Sequence, residues 1–136
     1  MVYLEDDDLK TFIQEDQLEQ ITEGIQEVKD KAEAYSLARV KSYLSGRYNM
    51  DSEFSKVGSA RNLDLVQIIA DMTIYYINKR VAPRSIPEIR IESYDECKNW
   101  LKMVNKGQLN LQIDKINPSQ TVPITYGTNP RPNNSY

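Results

Sequence analysis

Three consecutive carboxylates, Asp6, Asp7 and Asp8, and a single thiol, Cys97, are the groups in this chain whose types could ligate a cation or attack a substrate. Carboxylates are hard oxygen ligands, but a calcium loop needs spaced ligands, a central glycine and a closing glutamate, and that spacing is missing here. Acids at a helix start, where aligned amide dipoles favour negative charge, account for the three aspartates. Cys97 lies on an apolar stripe with Trp100 and Leu101, and the sequence holds no histidine to activate it, so a buried structural thiol is expected. Without histidine, Ser-His-Asp triads and His-containing zinc sites are excluded. The glycines, Gly24, Gly46, Gly58, Gly107 and Gly127, never fall into a phosphate-cradling pattern. The expectation is a protein with no catalytic residue, no metal and no cofactor.

With chemistry set aside, the elements that would position any surface become the question. Apolar residues recur at helical spacing through most of the chain. Leu9, Phe12 and Ile13 follow the three aspartates and predict a short helix over 6–14. Asp16 and Glu19 are spaced as a capping box for a second short helix through Leu18 and Ile21, which Thr22-Glu23-Gly24 loosens. Ile25, Val28, Ala32 and Tyr35 form one stripe, and Leu37, Val40, Leu44 and Tyr48 a second that drifts around the same long helix, about 24–45. Gly46 supplies freedom at its end, and 49–59 is polar enough to read as a surface loop. Residues 63–76 are apolar on nearly every side, with Asn62 as N-cap, and predict the central buried helix. Pro83 and Pro87 predict a connector over 81–92, with strand character at Ile89-Arg90-Ile91. Ser93 and Glu96 then form a capping box for a last helix ending near Gly107. The fold class is all-α, a compact bundle of four to five helices. Its expected core includes Tyr43, Leu44, Ile69, Tyr75, Trp100 and Leu101.

A chain of 136 residues buries roughly 65–70% of its unfolded surface, enough for one core without disulfides. One cysteine permits no internal pair, which suits synthesis in the cytoplasm. No apolar run is long enough for a membrane span, and the acidic start does not resemble a signal peptide. The net charge of −3 is unevenly placed: residues 1–34 hold eleven acids and three lysines, the remainder nine acids and fourteen lysines or arginines. Such a dipolar subunit can attract copies of itself or a partner of opposite sign. Arg47 and Arg61 are expected to pair with acids from residues 5–33 of a neighbouring copy, with Tyr48 beside them. Four of the six prolines fall in 117–136, and no acid occurs after Asp114. Residues 117–136 therefore read as an extended arm outside a helical domain of 1–116, with a reach on the order of 60 Å. Within it Val122, Ile124 and Tyr126 could lie along a partner's surface or add a strand to its sheet edge.

Several of these residues occur in an order that resembles a known family. Ala32-Glu33-Ala34, then Val40-x-x-Tyr43-Leu44-x-x-Arg47-Tyr48, then Ile69-x-Asp71-x-x-x-Tyr75 with Arg80, then Tyr94 with Trp100-Leu101 and Gly107-x-Leu109-x-Leu111, is similar to the phage Mu-type neck family. That family resembles in architecture the head-completion adaptors of tailed phages. The resemblance spans about 80 residues and departs from the pattern at Asn49-Met50-Asp51, where proline is usual, and at Cys97, where alanine is. It implies a virion protein of the neck, assembled in the host cytoplasm as a usually dodecameric ring. Its implied partners are further copies of itself, the portal protein, other neck or tail proteins, and genomic DNA passing through the lumen without sequence-specific binding. No membrane partner is implied. The competing expectation is a DNA-binding helical regulator, against which stand a pI near 5.0 and the lack of any long basic cluster.

Overall fold

The computed structural model describes residues 1–116. Six α-helices occur among them: α1 (Asp6–Phe12), α2 (Glu15–Thr22), α3 (Gln26–Leu44), α4 (Met50–Phe54), α5 (Leu63–Val81) and α6 (Glu88–Asn105), with a 3₁₀ turn at Gly58–Ala60. Among the described residues there is no strand, and a single antiparallel bridge joins Tyr48 to Lys115. The chain is all-α, as its periodicity predicts.

Helix α5 is the hub, packing against α1, α2, α3 and α6. Its sequence explains why. Leu65, Ile69, Ala70, Met72, Ile74 and Ile77 occupy more than one face and are all fully buried, which requires neighbours on several sides. Asn62 caps it as expected, its side chain accepting from the Leu65 amide at 3.1 Å. The helix runs one turn further than the apolar stretch, through Lys79 and Arg80, cations suited to the partial negative charge of a C-terminus. The Ser36 hydroxyl meets that of Thr73 at 3.0 Å, and further along, Ala32 of α3 shares a groove with Ile77 of α5. The two helices therefore run in opposite directions.

The two ends of α6 differ in how they were encoded. Gly107 adopts φ +81°, and the amides of Gly107 and Gln108 bond back to the carbonyls of Val104 and Met103. This is the paired closure for which a left-handed residue is needed. A side chain at this position would also meet the Arg47 guanidinium, 3.0 Å from where its Cβ would stand. The N-terminus lies earlier than the Ser93–Glu96 pair suggests. Pro87 precedes the first turn, a place where its fixed φ is tolerated, so Ile89-Arg90-Ile91 is helical rather than extended, with Ile89 and Ile91 exposed.

Three other expectations change. Residues 49–59 are not simply a surface loop: Asn49 caps α4 through Ser52, and Met50 and Glu53 are buried. Asp16 lies inside α2 instead of capping it, the helix having started at Glu15. Gly46 shows no left-handed conformation, because α3 closes through ordinary turns of the Arg47 and Tyr48 amides onto Leu44. Beyond α6 the chain returns to that corner. The Asn49 amide donates to the Asp114 carbonyl, the Ile116 amide to that of Arg47, and the Leu111 amide to the Tyr48 hydroxyl at 3.1 Å.

Candidate functional site

Two polar regions stand out, and they are built on opposite terms. The first is buried. Glu33 is 1% exposed, and its carboxylate accepts from the amides of Val2 at 2.6 Å, Tyr3 at 2.9 Å and Leu4 at 2.5 Å. Three charge-assisted bonds hold the N-terminal segment against α3. The Tyr3 ring then runs inward, its hydroxyl donating to Glu53 at 2.5 Å. The same Glu53 oxygen accepts from the Asn62 amide at 2.9 Å, while the other oxygen forms an ion pair with Lys56 at 3.1 Å. Arg61 closes the group. It donates to the Tyr3 carbonyl at 2.9 Å, to Asp8 at 2.6 Å and to the Gly58 carbonyl at 2.8 Å. Burial, then the Glu53 carboxylate, push the Tyr3 hydroxyl above its ordinary range, so it stays a donor. Asp8 holds the Arg61 guanidinium even more firmly charged than usual.

The second region is open. Tyr75 of α5 stacks on Tyr94 of α6 with centroids 4.0 Å apart and planes within 12°. Tyr76 lies edge-on to both, its hydroxyl 3.1 Å from that of Tyr94, and Tyr35 of α3 leans on Tyr76 from the far side. Lys98 caps the Tyr94 ring at 5.0 Å, and the Tyr76 hydroxyl raises the pKa of Arg39. Next to this wall a groove of about 640 Å³ runs between the start of α3 and the end of α5. Its floor is Val28, Ala32 and Ile77, its rim Ile25 and Tyr35, and Lys31, Lys79 and Arg80 stand along it with the single acid Glu27. Tyr35 is 65% exposed and Ile25 43%. None of the three cations reaches a carboxylate among the described residues.

The chain matches the family model described as Bacteriophage Mu, Gp36 over residues 3–125, which takes in both regions and every helix. It belongs to that family. It is thus a phage structural protein, in line with the resemblance carried by Arg47-Tyr48, Trp100-Leu101 and Gly107. No curated protein matches it.

Within this member of the Mu Gp36 family, the residues singled out from sequence are divided between interior and surface. Leu44, Ile69 and Leu101 are fully buried as expected, whereas Tyr43 and Trp100 are partly buried against the core. Tyr75 sits on the tyrosine wall rather than inside, because three aromatic residues of α5 and α6 converge at one rim. Tyr48, expected at an interface, is 1% exposed: its ring belongs to the core and its hydroxyl accepts from the Leu111 amide. Arg61, expected to pair with acids of a neighbouring copy, pairs with Asp8 and Glu5 of its own chain. Arg47 lies over Tyr48 at 6.0 Å, meets no carboxylate among the described residues, and leaves a buried Nε without a partner. Val122, Ile124 and Tyr126, with the rest of 117–136, lie outside the described residues.

The thiol of Cys97 is buried, its sulfur directed at the Ile68 carbonyl at 3.8 Å. Burial, with Asp71 and Glu96 nearby, pushes it up to about 12, far from a reactive thiolate. No three acidic or cysteine side chains converge as a metal cluster among the described residues, and no described helix is long and apolar enough to cross a membrane. The sequence reading missed the groove. Its signal was available in Lys31, Tyr35, Lys79 and Arg80, which a helical projection places on facing edges of α3 and α5.

Proposed function

We propose that this phage structural protein is a head–tail connector subunit, assembling as a dodecameric ring that docks on the portal, joins the capsid to other neck or tail components and leaves a lumen for DNA. The single observation that carries the reading is the family match, which spans residues 3–125. Two physical features support it. A rigid bundle organised on α5 gives a ring subunit a stiff frame, and the wall of tyrosines with Arg80 beside it carries two residue types enriched at protein contacts. On this reading the chain performs no catalysis. Its partners are copies of itself, the portal, and neighbouring neck or tail proteins, while DNA passes without sequence-specific contacts.

Light scattering and negative-stain imaging of the purified chain, alone and with the portal protein of the same phage, test the proposal. Ring-shaped particles of a defined mass that bind the portal are expected. A chain that stays monomeric in both conditions, or that shifts duplex DNA in a salt-sensitive manner without forming rings, refutes it.

A further inference from the structure

An open groove with apolar walls and three cations that form no ion pair among the described residues has a defined complement: an apolar side chain flanked by a carboxylate. Among the described residues the chain presents this combination at Leu63–Asp64 and again at Glu88–Ile89 and Ile91–Glu92, but the latter two straddle Arg90, a charge of the wrong sign for this groove. Val57 and Leu63 flank the 3₁₀ turn at the entrance to α5 and are 72% and 82% exposed. Next to Leu63, Asp64 is exposed and meets no cation. We propose that the groove between α3 and α5 seats the Leu63–Asp64 corner of the adjacent copy, a contact that rests on the ring reading above and assigns the two faces that meet.

Geometry favours a second copy over the same one. The corner lies at the N-terminus of α5 and the groove at its C-terminal end, where Tyr76, Ile77, Lys79 and Arg80 stand roughly 20–26 Å along the helix axis from Leu63. The helix is rigid, so a chain cannot fill its own groove with its own corner. Two different patches on opposite ends of one rod make a head-to-tail contact, the type that closes into rings when the rotation permits. In this arrangement Leu63 enters between Tyr35 and Ile77, and Asp64 faces Arg80 and Lys79. A further acidic candidate, the outer face of α2, is polar throughout and would leave Ile25 and Tyr35 in water.

Full-length variants test the assignment, each first checked by circular dichroism for an unchanged helical fold. Leu63→Asp and Arg80→Glu each raise the concentration needed for assembly by about tenfold or more, and Asp64→Lys combined with Arg80→Glu recovers part of the loss. Mixing Leu63→Cys with Tyr35→Cys chains yields an oxidative cross-link between copies. If wild-type chain never assembles, the ring reading fails and takes this contact with it. If it assembles while both single variants assemble equally well and the mixed cross-link is absent, the ring stands and this contact is overturned. Cross-linking of Leu63→Cys to itself also overturns it, since that reports a two-fold contact.

Discussion

The Tyr3–Arg61 region and the Tyr35–Arg80 region are made of the same residue types put to opposite uses. In the first, tyrosine and arginine are buried and their polar groups find partners within the chain: Arg61 has three acceptors within 2.9 Å, and Tyr3 reaches Glu53. In the second, the rings are half open and the cations form no ion pair among the described residues, although Glu27 lines the same groove. Burial of a charge is tolerated only with compensating bonds, whereas an exposed cation costs little until something covers it. The comparison teaches that part of the charge asymmetry in the sequence is consumed inside the subunit, by Glu5, Asp8, Glu33 and Glu53, and only the remainder is free to recruit other chains.

The comparison breaks first at Glu33, where the largest effect is expected. Glu33→Ala leaves the buried amides of Tyr3 and Leu4 and the half-buried amide of Val2 without an acceptor, and a loss of about 3–5 kcal/mol in urea unfolding is expected. Glu33→Gln, which keeps the shape and some of the bonding, loses less. If the alanine variant costs under about 1 kcal/mol, the N-terminal segment is not held by this carboxylate, and the buried region loses its organising residue.

Arg61 comes next. Arg61→Ala strands Asp8 and the Tyr3 carbonyl, with an expected loss of about 2–3 kcal/mol. A double-mutant cycle with Asp8→Ala is expected to return a coupling of about 1 kcal/mol or more. A coupling near zero would mean that Arg61 acts only through packing on the Tyr3 ring, 5.8 Å away.

How far these regions could be read in advance follows from what periodicity records. Helices α3 and α5 announce themselves because Val28, Ala32, Val40 and Leu44, and nearly all of Leu65 through Ile77, repeat at helical spacing, and Asn62 and Gly107 are cap residues whose roles follow from their chemistry. Helix α4 is five residues long, too short for any period to show. The start of α6 was hidden by Pro87, a residue that ends one element and begins another equally well. Glu33 and Ser36 lie on the buried face of α3, yet a charged residue reads as solvated unless its partner is known. That partner is the backbone of Val2, Tyr3 and Leu4, which carries no sequence signal at all.

On the open side, smaller effects sharpen the contrast. Tyr35→Ala and Arg80→Glu should change monomer stability by no more than about 0.5 kcal/mol, because neither residue is buried or bonded to an acid in its own subunit. Equilibrium unfolding at concentrations below assembly checks this. A loss comparable with that of Arg61→Ala would mean that the groove belongs to the frame of the fold and is not a free surface.

Asp71 gives the smallest effect and the most discriminating sign, because it stands between the two regimes, half-buried on α5 with no hydrogen-bond donor to its carboxylate. Burial raises its pKa, Glu96 adds to the rise, and Arg90 opposes it. A raised carboxylate pKa means that the native state holds this proton to higher pH than the unfolded chain does. Its contribution to stability is therefore lost as pH climbs from the ordinary aspartate range through the raised value, and the penalty is constant above it. Asp71→Asn removes that penalty. The variant is expected to melt slightly above the wild type at pH 7, with the difference shrinking as pH falls through the raised value and gone below the ordinary aspartate range, about 4. A variant less stable than wild type at pH 7 would assign Asp71 to the buried class, with Arg90 outweighing the cost of burial.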